Sequence, residues 1–173
     1  MTTGRLSQAV TLAATLIAGE AAAQTATPPT PMDFAASVAQ SDAYEILAAR
    51  DALAQSRDPQ VQAFARMMID EHERMGASLR QAVTAAGLSP PPEAMSGDQA
   101  ALLSSLQSLS GPAFDKAYAL QQVLAHHQAI AVVRSFAAGG AEPTLRAAAQ
   151  AAAPMIQRHL ELAEHLRAAV GGS

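Results

Sequence analysis

Apolar residues recur every three to four positions between Pro59 and Ala86, with charged residues between them. With His72 as reference and about 100° of rotation per residue, seven apolar residues fall within about 60° of it. They are Val61, Ala65, Met68, Met75, Leu79, Val83 and Ala86. Asp58 before this segment is a suitable N-cap, and Gly87 after it is a suitable C-cap. The pattern predicts an amphipathic helix with His72 near the centre of its buried face.

Helical periodicity continues through most of the chain, and residues that favour helices dominate its composition. The predicted helices are Asp33–Ser56 (α1), Pro59–Ala86 (α2), Gly97–Leu109 (α3), Ser110–Ala138 (α4) and Pro143–Val170 (α5), with a kink expected at Pro154. Four long helices with mostly short connections predict an all-α four-helix bundle. The short α3 lies in the connection between α2 and α4, where it either caps the bundle or runs along it as a crossover.

Each long helix places one ionisable residue on its apolar face. These residues are Glu45 in α1, His72 in α2, His126 in α4 and His159 in α5. Each lies near the middle of its predicted helix, so a rise of 1.5 Å per residue puts all four within about 6 Å of one height. The sequence therefore predicts a shared polar layer inside the bundle.

Neutral imidazoles and a carboxylate in a dry core are suitable ligands for a transition metal such as zinc, iron, manganese or copper. The predicted metal site consists of Glu45, His72, His126 and His159, in a protein that sequesters or senses metal or supports envelope stress tolerance. The alternative is a buried hydrogen-bonded network without metal, in a helical interaction or envelope-structural module. An enzyme ranks third, because the sequence shows neither an open coordination position nor a substrate channel. Methionines beside the histidines are interpreted as core filler.

The N-terminal segment has the pattern of an export signal. Residues 1–23 contain Arg5, a short apolar run and a final Ala-Ala-Ala, which predict a signal peptide cleaved before Gln24 and an exported, periplasmic protein. Residues 24–32 are rich in Pro and Thr and predict a disordered linker. Residues 33–171 are predicted to form a single helical-bundle domain.

Composition excludes several classes of partner. A net charge of −4 with mixed signs and 3% aromatic residues argue against nucleic acid binding. After signal cleavage no segment is apolar enough for a membrane span. The chain has no Cys, hence no disulfide. A homo-oligomer is compatible with the sequence, and no protein partner is indicated.

Several segments resemble a family of exported bacterial proteins grouped as domain of unknown function forty-one forty-two, predicted outer-membrane or periplasmic proteins. The segments are AYEILAA around Glu45, DPQVQAFARMMIDEH ending at His72, SGPAFDKAY, QVLAH ending at His126, and PMIQRHL around His159. The resemblance implies a ferritin-like bundle. This sequence lacks the Glu-x-x-His pairs of ferritin-like di-iron sites, and Glu45 is the carboxylate expected at the level of the histidines. A di-iron oxidase or a mineral-storing cage is therefore not expected.

Overall fold

The structure, a computed structural model, describes residues 27–172. Its helices are α1 (Pro31–Gln55), α2 (Pro59–Ala85), α3 (Gly97–Gln107), α4 (Gly111–Gly139) and α5 (Pro143–Gly171). Residues 27–172 contain no strand, which confirms the predicted all-α class. The predicted signal peptide of residues 1–23 lies outside the described residues.

Local capping determines where the helices begin. The Asp58 side chain accepts hydrogen bonds from the backbone N–H groups of Gln60 and Val61 at the start of α2. Thr30 caps α1, which begins two residues before the predicted start because Pro31 occupies its first turn. Ser96 and Gln99 form a reciprocal capping box at α3. These caps satisfy backbone donors that have no partner within a helix.

The four long helices form a square in which neighbouring helices are antiparallel. The rings of Phe34 and Phe136 stack with centroids 4.1 Å apart, which joins the start of α1 to the end of α4. Short turns link α1 to α2 and α4 to α5. Consequently α2 and α4 lie on a diagonal and run in the same direction.

The connection between α2 and α4 must therefore cross the whole length of the bundle. Its helix α3 packs against α1 and α4. The structure thus shows a crossover rather than an end cap, and a single long crossover is the connection found in ferritin-like bundles. Gln121 of α4 holds α3 in place by donating hydrogen bonds to the Leu102 carbonyl (3.3 Å) and the Ser105 hydroxyl (3.0 Å).

The core combines alanines on α1 with larger apolar side chains from α2, α4 and α5. Small residues on α1 allow its neighbours to approach closely. Helix α5 continues through Pro154, which lies on its exposed side. Between residues 27 and 172, no helix is both long enough and apolar enough to cross a membrane.

Candidate metal centre

Three histidines meet at the centre of the bundle. His72, His126 and His159 are 4%, 1% and 0% exposed, as the helical-face prediction requires. Their ring centroids are 5.3 to 5.8 Å apart. One nitrogen of each ring lies within 4.8 Å of one nitrogen of each other ring. The shared layer predicted from sequence therefore exists for the three histidines.

The outward nitrogen of each ring contacts a hydrogen-bond acceptor. The pairs are Nδ1 of His72 with Oδ1 of Asp42 (2.8 Å), Nδ1 of His126 with the backbone oxygen of Gln122 (2.8 Å), and Nε2 of His159 with Oε2 of Glu71 (2.6 Å). The Gln122 carbonyl and an ionised carboxylate can only accept, so the hydrogen of the neutral His126 and His159 rings lies on the outward nitrogen, and that of His72 lies there when Asp42 is ionised. Such outer hydrogen bonds fix the tautomer and orientation of histidines that bind metals.

The opposite nitrogens have no partner among the described residues. They are Nε2 of His72, Nε2 of His126 and Nδ1 of His159. With the hydrogen held on the outward side, each of these nitrogens presents a lone pair. Lone pairs cannot hydrogen-bond to one another, and buried polar atoms normally have partners. The arrangement is therefore compatible with a shared electron-pair acceptor.

Burial keeps the imidazoles neutral. It lowers the pKa of His72 to about 4 and that of His126 to about 3. The pKa of His159 is also lowered, chiefly by burial, although its hydrogen bond with Glu71 acts in the opposite direction. Neutral imidazole is the form that coordinates a metal.

Glu45 lies beside the three histidines but outside the set of converging atoms. Its Oε1 is 3.9 Å from Nδ1 of His126, the outward nitrogen of that ring. The side chain is 1% exposed, and within residues 27–172 neither carboxylate oxygen makes a well-formed hydrogen bond. Burial raises the pKa of Glu45 to about 8; the Gln122 side chain, as a hydrogen-bond partner, acts in the opposite direction, and the nearby charge of Asp42 acts in the same direction as burial. The structure thus places Glu45 next to the cluster, with the buried side-chain amide of Gln122 beside it.

The expectation that Glu45 is the carboxylate at this level was incomplete. Asp42 is also buried and bonded to His72, while Glu71 bonds to His159 and to Arg158 across the α2–α5 contact. Asp42 lies one turn before Glu45, and Glu71 directly precedes His72. Both are off the centre of the apolar stripes, so single-helix periodicity missed them. The sequence feature that could have identified Asp42 and Glu71 is that each lies within one helical turn of an inward-facing polar residue.

The other ionisable residues of these helices include several on the outer faces. His127 lies outside the core, 3.7 Å from Glu164, and Asp70 pairs with Arg74 on the surface of α2. His165 is exposed as well. These residues are therefore not part of the buried cluster.

Two cavities of about 480 Å³ each reach the cluster from different faces. One opens between α1 and α4 beneath α3, and Glu45, His72 and His126 lie along it. The other lies between α1 and α2, under the crossover segment, and reaches Asp42 and His72. His72 and His126 are therefore buried but border these cavities, whereas His159 borders neither.

The three nitrogens suit a metal ion in type and number. Metal–nitrogen bonds of about 2.0–2.1 Å in a tetrahedral shell place nitrogens roughly 3.4 Å apart. One nitrogen of each ring lies within 4.8 Å of one nitrogen of each other ring. A modest movement of the side chains would therefore bring the three nitrogens to the spacing of a metal coordination shell. Three imidazoles leave a fourth position open, while Glu45 lies 3.9 Å from the outward nitrogen of His126.

Comparison with known proteins identifies a family. The family described as Domain of unknown function (DUF4142) matches residues 17–166, which include all four predicted site residues. No curated protein and no solved structure shows a significant match. The match spans most of the chain, and the chain therefore belongs to the DUF4142 family.

Proposed function

We propose that this protein binds one divalent transition metal ion through Nε2 of His72, Nε2 of His126 and Nδ1 of His159. The supporting observation is that these three buried nitrogens have no protein partner while the other nitrogen of each ring contacts an acceptor. Zinc, copper and iron suit such imidazole sets, whereas manganese prefers oxygen ligands. Glu45 supplies the fourth ligand after a rotamer change, or accepts a hydrogen bond from a water on the metal.

The proposed biological role follows from the proposed export of the protein. A buried site of three neutral ligands would hold metal firmly outside the cytoplasm, for sequestration, sensing or envelope stress tolerance. Cleavage of the signal peptide before Gln24 is part of this proposal. Sequencing the N-terminus of the protein from its native host tests it, and a chain that retains residues 1–23 would contradict it.

A structural role without metal is the second candidate. Asp42, the Gln122 carbonyl and Glu71 already orient the three rings without help from an ion. A buried polar layer of this kind can specify how helices pair even where it adds little stability. This candidate leaves the three inward lone pairs without a role, which is why metal binding is preferred.

Elemental analysis of untagged protein tests the proposal. We expect close to one transition metal ion per chain in wild-type protein, and none in a variant with His72→Ala, His126→Ala and His159→Ala. A variant with His127→Ala and His165→Ala, both exposed, is the matched control and should keep its metal. If metal-free wild-type protein takes up no zinc, copper or iron on titration, the structural role stands instead.

A further inference from the structure

The cavity between α1 and α4 has the size and shape of a binding pocket for a small molecule. Its volume is about 480 Å³, within the range of about 300–1,000 Å³ typical of ligand pockets. Helix α3 contributes Gln99 and Leu102 to its wall. The crossover connection thus forms one side of the pocket.

The walls of this pocket are largely apolar and include exposed leucines. Val38, Val132 and Ile156 line it, and Leu102 and Leu124, which also line it, are 44% and 51% exposed. Large apolar side chains exposed at the rim of a concave surface are typical of a site for an apolar ligand. The body of a ligand here would therefore be apolar.

The inner end of the pocket is polar and has unsatisfied groups. Glu45 is almost completely buried there, and neither of its oxygens has a partner within residues 27–172. His72 and His126 line the same end, each with an unpartnered Nε2. A ligand that reaches this end meets a carboxylate acceptor beside the proposed metal.

We propose that this pocket binds a mainly apolar molecule that carries one hydroxyl group, such as a phenol or an apolar alcohol. The hydroxyl donates its hydrogen to Glu45, and its oxygen lone pair faces the metal held by the histidines. In metal-free protein an anionic carboxylate ligand would lose its hydration at this buried end, and in metal-loaded protein an ammonium group would be repelled by the metal. The metal contact rests on the proposed function, but the hydrogen bond to Glu45 does not.

Direct binding of matched aromatic probes tests this assignment. The probes are 2-naphthol, naphthalene and 2-naphthoate, and the chain has no Trp to interfere with their fluorescence. We expect 2-naphthol to bind metal-free protein at least about tenfold more tightly than either other probe, because it alone combines an apolar body with a donor. Tighter binding of 2-naphthoate, or equal binding of naphthalene, would overturn the proposal.

A cobalt-loaded sample separates failure of the pocket from failure of the metal site. Co(II) bound by the histidines should change its visible spectrum when 2-naphthol is added. If Co(II) does not bind but metal-free protein still selects 2-naphthol, the proposed metal function fails and the pocket stands. If Co(II) binds and 2-naphthol binds to neither form, the pocket assignment fails.

Paired variants test whether 2-naphthol binds in this pocket. Ala125→Phe places a ring in the pocket and should weaken 2-naphthol binding at least about tenfold, whereas Ala131→Phe on the exposed side of α4 should not. A second pair of variants repeats the comparison without adding a bulky side chain. Leu124→Ala changes the rim of the pocket, and Leu120→Ala changes an exposed leucine away from the pocket. If the two variants of each pair changed the affinity for 2-naphthol equally, the assignment of the probe to this pocket would be overturned.

Discussion

At the scale of single residues, the outer hydrogen bonds of the histidines decide what the centre is able to do. Asp42 and Glu71 are acceptors on two of the rings, and a backbone carbonyl is the acceptor on the third. Although burial raises the pKa of Glu71, its hydrogen bonds with His159 and Arg158 bring the pKa below the usual value. An ionised Glu71 keeps the hydrogen of His159 on Nε2 and its lone pair directed inward.

Asp42→Asn should weaken metal binding by about 10- to 100-fold, because outer partners of metal-bound histidines typically contribute that much to affinity. The substitution keeps the shape of the side chain but removes the carboxylate that polarises His72. Competition titration with a chromophoric chelator measures the change. Asp70→Asn, an exposed carboxylate on α2, is the control. Equal affinities of the two variants would contradict the assigned role of Asp42.

Metal binding near pH 7 should release protons from carboxyl groups rather than from the histidines. Burial raises the pKa values of Glu45 and Asp42 to about 8, whereas His72 and His126 are already neutral. A positive ion favours the ionised carboxylates, so binding expels protons from them. Calorimetry in buffers of different ionisation enthalpy should show about one proton fewer released by Glu45→Gln than by wild type. Equal release would mean that Glu45 is not coupled to the metal.

Sequence reasoning located the histidines but not their partners. The face of each helix follows from spacing, which is a property of one segment, so His72, His126 and His159 were placed correctly. Which carboxylate contacts which imidazole ring depends on the distance between two helices and on how each helix is rotated about its axis. Glu71 bonds to a residue 88 positions away, and no local pattern encodes that meeting.

At the scale of elements, helix α3 is tied to α4 by the side chain of Gln121 and to α1 by a hydrogen bond that Gln107 donates to Asp51 (2.9 Å). Gln121 accepts a hydrogen bond from the Tyr44 hydroxyl (2.6 Å) and donates two to α3. Whether α3 capped or crossed the bundle was left open by the sequence. Its eleven residues carry few buried apolar side chains, chiefly Leu103 and Leu106, so its hydrophobic pattern does not define a direction.

Gln121→Leu should loosen α3 and destabilise the fold by about 1–3 kcal/mol, because the buried Tyr44 hydroxyl and the α3 groups lose their partner. Hydrogen exchange of the α3 amides should speed up more than exchange in α2 or α5. Gln128→Leu, two turns further along the same face of α4, is the matched control. Unchanged exchange in α3 would show that Gln121 is not needed to hold the crossover in place.

At the scale of the whole molecule, the three buried histidines join three of the four long helices. His72, His126 and His159 belong to α2, α4 and α5, and Asp42 and Glu45 add α1. A ligand that contacts only the folded state stabilises all of it at once. The all-α bundle, but not the path of its crossover, was predicted from sequence because long amphipathic helices with short turns have few ways to bury their apolar faces.

Metal should therefore raise the melting temperature of the wild type by several degrees. A free metal concentration of 100 times Kd adds about 2.7 kcal/mol to the free energy of unfolding. Calorimetry with and without a chelator measures the shift, and the triple histidine variant should show none. A chelator that leaves the wild-type melting temperature unchanged would contradict metal binding to the folded state.

The lengthwise crossover has a consequence for the order in which the protein folds. Bringing α2 to α5 requires closure of a long stretch of chain, as the 88-residue separation of Glu71 and His159 shows. Such closure loses chain entropy before any contact compensates for it, so these contacts form late. Under the proposed function an ion would not nucleate the fold, because the three histidines are not together until the last helix docks. A nascent chain that stops before α5 has no complete cluster, so metal capture would mark a finished molecule.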